Sequence, residues 1–262
     1  MRITTSITDF APLLGNLTYL FKGLQHTGVD GVELVLGVKS RWKIQEVQEL
    51  SQRYKLPILS IHQPIWSGVG LYFDDGFMEY AKDLNVESVV CHPLPNISWE
   101  NSSMQIYLKR LAKLQKKWGI PVLLENLPTE YNNKFISKIF IPHIETGDLK
   151  LLHTHAAAHQ LNIAFDTDHF RKKYPPDNIA FHRIFPSIKN IHLSSFSKHE
   201  RHLPLYLGEL EVQRFIKFLL NHSYSGLLTL EIYYPKLINF LSYDFNAIKK
   251  SVDIVKSTIY SN

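Results

Sequence analysis

Eight short runs of β-branched and aliphatic residues, each followed by a stretch with helical spacing, constrain this chain more than any other feature. The runs are RITTSI (2–7), GVELVL (31–36), PILSIH (57–62), ESVVCH (87–92), PVLLEN (121–126), NIAFD (162–166), IKNIHL (188–193) and LLTLEI (227–232). Between them, WKIQEVQELSQRY (42–54), MQIYLKRLAKLQKKW (104–118), VQRFIKFLLNH (212–222) and FNAIKKSVDIVKSTI (245–259) repeat apolar residues at the intervals that line one helix face. Strands that return through a helix pair in parallel, and near-continuous apolar strands suit a sheet covered by helices. Eight such units in 262 residues have the size of a (β/α)8 barrel. The expectation is an α/β fold, a single-domain TIM barrel over residues 1–262. An open doubly wound sheet is the alternative, but no G-x-G-x-x-G follows the first strand, and no linker marks a second domain.

Composition bounds the function. Hydrophobic residues make up 45% and charged residues 20%, as in an ordinary soluble globular chain. No apolar run is long enough for a signal peptide or a membrane span, so a cytoplasmic protein without a membrane partner is expected. Cys91 is the sole cysteine, which excludes an internal disulfide and a cysteine zinc cage. By alternation it faces away from His92, toward the helix layer, and reads as core. A net charge of +5 favours anionic partners weakly, and the basic residues are scattered rather than gathered into a nucleic-acid track.

The strand ends carry the chemistry. Glu33, His62, His92, Glu125, Asp166, His192 and Glu231 follow one another at intervals of 29, 30, 33, 41, 26 and 39 residues, each about one strand-helix unit. A lone His or Glu at a strand end is more often a hydrogen-bonded structural group. Seven at matching places in a barrel converge on one rim, and burying them together needs pairing or a cation. Imidazole with carboxylate suits Zn, Mn, Fe or Co. Glu33 reads equally as a substrate contact or a salt-bridge partner. His153, His155 and His159 read as a solvated helix, and His26, His182 and His222 carry no role. The long connections 127–147 and 194–208 would lie over the rim.

These segments resemble the xylose-isomerase-like TIM barrels, a superfamily of sugar and sugar-phosphate isomerases and epimerases and of metal-dependent endonucleases that cut at abasic sites. The resemblance runs from the first strand to the last. It rests on GVDGVEL, on His62 and His92, on LENLP around Glu125, on the D-x-x-H of Asp166 and His169, on NIHLSS with His192, on HLPLYLGELEV and on LEIYY with Glu231. It implies a metal held by Glu125, Asp166, His192 and Glu231. In the endonuclease pattern His62 and His92 add a second ion beside Glu125, and His169, His202 and an acidic residue hold a third. That acidic position is Glu200 here, where the pattern has Asp, and Gly208-Glu209-Leu210 departs from its G-x-G. The implied cofactor is one to three divalent ions among Mn, Zn, Co or Mg.

Two reactions follow. In the first, metal-assisted isomerisation or epimerisation of a sugar or related hydroxy-carbonyl compound, Glu125 and Glu231 form the acid/base pair, and Glu33, Trp66 and Asn126 touch substrate. Such a role asks for carboxylates with raised or separated pKa values. In the second, the histidines complete a zinc cluster that cleaves abasic DNA, with Trp66 as a wedge. A noncatalytic metal-binding barrel is a third class. Asp168 would orient an imidazole. The expected partner is a sugar or sugar phosphate, with DNA under the alternative, and a homo-oligomer stays open.

Overall fold

The computed structural model describes residues 1–8, 16–36, 42–63, 73–94, 97–128, 148–232 and 244–261. Eight strands, β1 (Arg2–Thr8), β2 (Gly31–Val35), β3 (Ile58–His62), β4 (Ser88–Cys91), β5 (Val122–Glu125), β6 (Asn162–Asp166), β7 (Ile188–Leu193) and β8 (Leu227–Leu230), close into a barrel in sequence order. Every pairing is parallel, including that of β1 with β8. This is the TIM barrel that the alternation implied. The open sheet is excluded by the closure between first and last strands.

Helices follow the strands: α1 (Leu17–Leu24), α2 (Ile44–Tyr54), α3 (Asp75–Asp83), α4 (Ser102–Trp118), α5 (Leu149–Ala158), the one-turn α6 (Thr167–Phe170), α7 (Ile179–Ile184), α8 (Val212–Asn221) and α9 (Phe245–Tyr260). The starts of α1, α3, α4, α5, α7 and α9 are set by short polar side chains that accept from otherwise unpaired N–H groups: Asn16, Asp74, Asn101, Asp148, Asn178 and Asp244. Gly119 ends α4 in the left-handed region, where a Cβ would be strained. Helix α4 buries Met104, Tyr107, Leu108, Leu111 and Leu114, one stripe at helical spacing, against the outer faces of the strands. Among the described residues, no helix is long and apolar enough to cross a membrane.

The main hydrophobic core lies between strands and helices and includes Cys91, placed there as the alternation required. The barrel interior is different. One side holds a small separate cluster of Val90, Leu123 and Ala164. The other side is polar and buried: Thr4, Ser6, Glu33, Ser60, Asn190 and Thr229, where bulky branched residues usually fill such barrels. The buried hydroxyls and amides are satisfied by one another, as burial demands. Thr4 and Thr229 share a hydrogen bond of 2.7 Å, Thr229 donates to Asn190 Oδ1 at 2.8 Å, and Asn190 and Ser60 donate to Glu33 Oε2 at 3.0 and 2.6 Å.

Candidate active site

Parallel pairing in register lifts the ends of β5, β6, β7 and β8 to one level. Glu125 pairs with Ala164, Asp166 with His192, and His192 with Thr229. Because side chains alternate along each strand, Glu125, Asp166, His192 and Glu231 all face inward. One donor atom from each of the four lies within 4.8 Å of the others. His62 and His92 reach the same place from β3 and the end of β4, forming a second group with Glu125, and Asp166, His169 and His202 form a third. Glu33, Glu125, Asp166 and His192 are wholly buried, whereas His92, His169 and Glu231 keep 8–9% exposure, which locates the solvent side.

The motif IAFDTDHF is explained locally. β6 runs straight into α6, and Asp166 ends the strand and caps the helix, with Oδ1 accepting from the His169 N–H at 2.8 Å. That turn swings His169 back over the rim, while Asp166 Oδ2 is buried without a hydrogen bond. His169 Nδ1 lies 2.8 Å from the carbonyl of Asn126. A carbonyl only accepts, so Nδ1 carries the proton and Nε2 presents its lone pair toward Asp166 Oδ2 at 3.7 Å. Burial lowers the His169 pKa to about 4, so the ring is neutral at physiological pH, as a metal ligand must be.

Glu125 is the hub. Its Oε2 lies 2.9 Å from His62 Nε2 and 2.7 Å from His92 Nε2, and its Oε1 lies 3.0 Å from His192 Nδ1. Burial pushes its pKa up, but His192, His92 and the hydrogen bonds of His192 and His62 overcome this and hold it well below the usual carboxylate range. Glu231 is likewise held down against burial by its contact with His192 and by the nearby His202. Its Oε2 lies 3.0 Å from His192 Nδ1 without hydrogen-bonding geometry. Asp166 goes the other way: burial, then repulsion from Glu231, Glu125 and Asp168, raises its pKa well above the ordinary value. The side chains alone therefore hold both glutamates in the charged form and leave Asp166 as the carboxyl whose charge is least well accommodated.

A divalent cation fits this donor set. Three carboxylates and one imidazole converge, two of the carboxylate oxygens lack hydrogen bonds, and one carboxyl is destabilised by its neighbours' charge.

Other expected residues fall elsewhere. Glu200 is exposed, its N–H bonded to Ser197 Oγ at 3.0 Å, and it stands outside the group of Asp166, His169 and His202 that the third-ion expectation had it join. Asn126 faces the backbone: its amide donates to Asp166 O at 3.0 Å and accepts from Asp166 N at 2.8 Å, clamping the end of β6 instead of pointing at the opening. Glu33 lies beneath the cluster, 3.4 Å from His192 Nε2, in the salt-bridge alternative rather than a substrate contact. Asp168 sits beside an imidazole as expected, 3.6 Å from His202 Nε2, and also pairs with Arg201 Nε at 2.9 Å. Trp66 lies outside the described residues, as does 129–147 of the long connection. The solvated-helix reading of α5 is corrected: His155 is half-buried and stacks on Trp99 at 5.1 Å, and Gln105 bridges it to His159.

The sequence reading passed over Ser60, Asn190 and Thr229, which support the site from below. Their signal was present, since each stands two residues before an inward strand-end residue: His62, His192 and Glu231.

Comparison with known proteins agrees with this architecture. A D-tagatose 3-epimerase-like protein superposes with a TM-score of 0.74 at 19% identity, covering 100% of this chain and 98% of that one. The D-allulose 3-epimerase of Methylomonas sp., solved in complex with D-allulose, gives 0.70 at 16% identity over 98% and 97% of the two chains. An L-ribulose 3-epimerase gives 0.74 at 12% identity over 99% and 95%. At these identities the likeness is one of fold. An uncharacterized protein of Mycobacterium tuberculosis is 29% identical over 115 residues, 41% of this chain, and the chain spans only about two fifths (40%) of that relative's length. The model of the family described as "Xylose isomerase-like TIM barrel" matches residues 21–258, and the chain belongs to that family.

Proposed function

We propose that this chain is a divalent-metal-dependent isomerase or epimerase of a sugar or related hydroxy-carbonyl compound, with Glu125 and Glu231 as its proton-transfer pair. The observation that carries the reading is the convergence of Glu125, Asp166, His192 and Glu231 at one point of the rim. A divalent cation held there by Glu125, Asp166, His192 and Glu231 would act as a Lewis acid, polarising a substrate carbonyl and making the adjacent C–H more acidic. Glu231, at the exposed edge of the cluster with one oxygen lacking a hydrogen bond, is placed to exchange a proton with a substrate entering from solvent. Glu125 faces it across His192, whose Nδ1 is 3.0 Å from both carboxylates. The epimerases that share the fold support ketoses such as D-allulose or D-tagatose as first substrates to try.

The test is proton exchange. Incubation with Mn and D-allulose or D-tagatose in deuterium oxide should place deuterium on the carbon beside the carbonyl, and Glu125→Gln and Glu231→Gln should each abolish it. Exchange that persists in both variants removes them as acid and base.

A second reading, a zinc endonuclease acting at abasic DNA, is favoured by the two further groups, His62–His92–Glu125 and Asp166–His169–His202. Close to three zinc ions per purified chain, with chelator-sensitive nicking of an abasic duplex, would select it over the one-ion isomerase.

A further inference from the structure

The net charge of the chain is +5, and helix α4 alone supplies that much: Lys109, Arg110, Lys113, Lys116 and Lys117, with no acidic residue among its 17. These cations recur at helical spacing on the side opposite the buried Met104, Leu108 and Leu111, so they form one exposed row with the exposed Ile106 at its head. Lys117 pairs with Asp75 at 2.7 Å, whereas Lys109, Arg110, Lys113 and Lys116 make no ion pair among the described residues.

The neighbouring face has the opposite sign. Glu79 and Asp83 on α3, and Glu46 and Glu49 on α2, are exposed carboxylates that make no ion pair among the described residues. The two helices adjoin where Gln48 Nε2 donates to the Asp83 carbonyl at 2.9 Å. Their cations are Arg53, in the last turn of α2, and Lys82, which is turned toward α4. Trp118 marks the seam between the acidic and basic faces. It is only partly buried, its Nε1 donates to Asp75 of α3 at 2.8 Å, and Lys82 and Lys117 lie 5.7 and 5.4 Å from its ring centre.

A wholly anionic partner, nucleic acid or lipid surface, would be attracted over α4 and repelled over α3 and α2. The face calls instead for a partner that carries both signs in the reverse order. A second copy supplies it. A two-fold axis through the seam lays α4 of each chain over α3 of the other, so both halves of the contact are attractive, and it brings the two Trp118 rings to the centre, where aromatic anchors contribute most. We propose that this face is a self-complementary docking surface for a second copy of the chain, with Lys109, Arg110, Lys113 and Lys116 set against Glu79 and Asp83 of the other copy and with Glu46 and Glu49 extending the contact. The inference is independent of the reaction proposed above.

Sedimentation of the full chain tests it at about 0.01 M and about 1 M salt, where screening lengths are about 30 Å and about 3 Å. The wild type should be dimeric in the first and dissociate in the second, its dissociation constant rising by about 10-fold or more. Lys113→Glu with Lys116→Glu, and separately Glu79→Lys with Asp83→Lys, should each be monomeric at low salt, because like charges then face one another. Mixing the two variants should restore a dimer, since both halves of the mixed contact are again opposite in sign. A wild type that is monomeric at low salt, or a dimer indifferent to salt, overturns the proposal whether or not the variants fold. So does a variant that dimerises like the wild type, or a mixture that stays monomeric when circular dichroism shows both variants folded. A monomeric wild type that cosediments with phosphatidylserine vesicles or retards a DNA duplex, and loses this with Lys113→Glu and Lys116→Glu, assigns the row to a polyanion and likewise overturns it.

Discussion

Replacing Asp166 by Asn tests the electrostatics of the cluster with almost no change of shape. The amide oxygen can still accept from the His169 N–H, now at 2.8 Å from Oδ1. What disappears is a carboxyl whose pKa is raised well above its ordinary value by burial and by Glu231, Glu125 and Asp168. A folded-state pKa above the unfolded value of about 3.9 means that stability is unaffected below that pH and is lost as pH climbs toward the raised value, at about 1.4 kcal/mol per unit of elevation. Asparagine escapes this loss. In chelator at pH 8 the variant is therefore expected to melt at or above the wild type, with the gap closing on acidification to pH 4. A divalent ion reverses the order. At a free concentration about 100 times its Kd, a ligand of the folded state adds about 2.7 kcal/mol. An unfolding entropy of about 2.1 cal/mol/K per residue gives about 0.55 kcal/mol/K for 262 residues, so the wild type should rise by about 5 °C. The variant should rise by less than about 1 °C, having lost a charged ligand. Scanning fluorimetry with and without Mn measures all four melting temperatures. A variant that melts far below the wild type in chelator, or that gains the same increment from Mn, refutes the reasoning.

Other perturbations probe separate features. His169, whose folded pKa is about 4 against an unfolded value of about 6.5, contributes stability that is present above pH 6.5 and lost as pH falls toward 4; His169→Gln should flatten that limb of the urea midpoint against pH. Gly208→Ala should destabilise by about 1–3 kcal/mol in urea, because φ is +84° and a Cβ would meet Phe196 O at 2.4 Å; an unchanged midpoint would show that the segment has another way to turn. Phe165→Ala, which removes a wholly buried ring packed against the buried Phe181 and the partly buried Phe170, should cost about 3–5 kcal/mol by the same measurement.

The barrel was legible because its strands repeat and each is short. The runs at 57–62 and 162–166 match β3 and β6 to within a residue, and the helical reading of 104–118 falls inside α4. Strand-end acids and imidazoles were legible for the same reason: once the period is known, parity places them on one rim, and Glu125, Asp166, His192 and Glu231 converge as their spacing required. What escaped depends on contacts between distant segments. Glu200 is steered outward by a turn on Ser197, and His155 is half-buried because Trp99 comes to lie against it. The roles of Asn190 and Ser60 depend on hydrogen bonds that cross the barrel, which no linear spacing displays.

The polar half of the barrel interior bears on how this chain can drift over generations. Thr4, Thr229 and Asn190 form one arm of hydrogen bonds and Ser60 a second, and both arms end on the carboxylate of Glu33. A substitution at one of them strands a partner in the dry interior, whereas Val90, Leu123 and Ala164 exchange volume with fewer consequences. Among close relatives these arms should therefore change in matched pairs, Thr4 with Thr229 or Glu33 with Asn190, while the apolar trio varies one residue at a time.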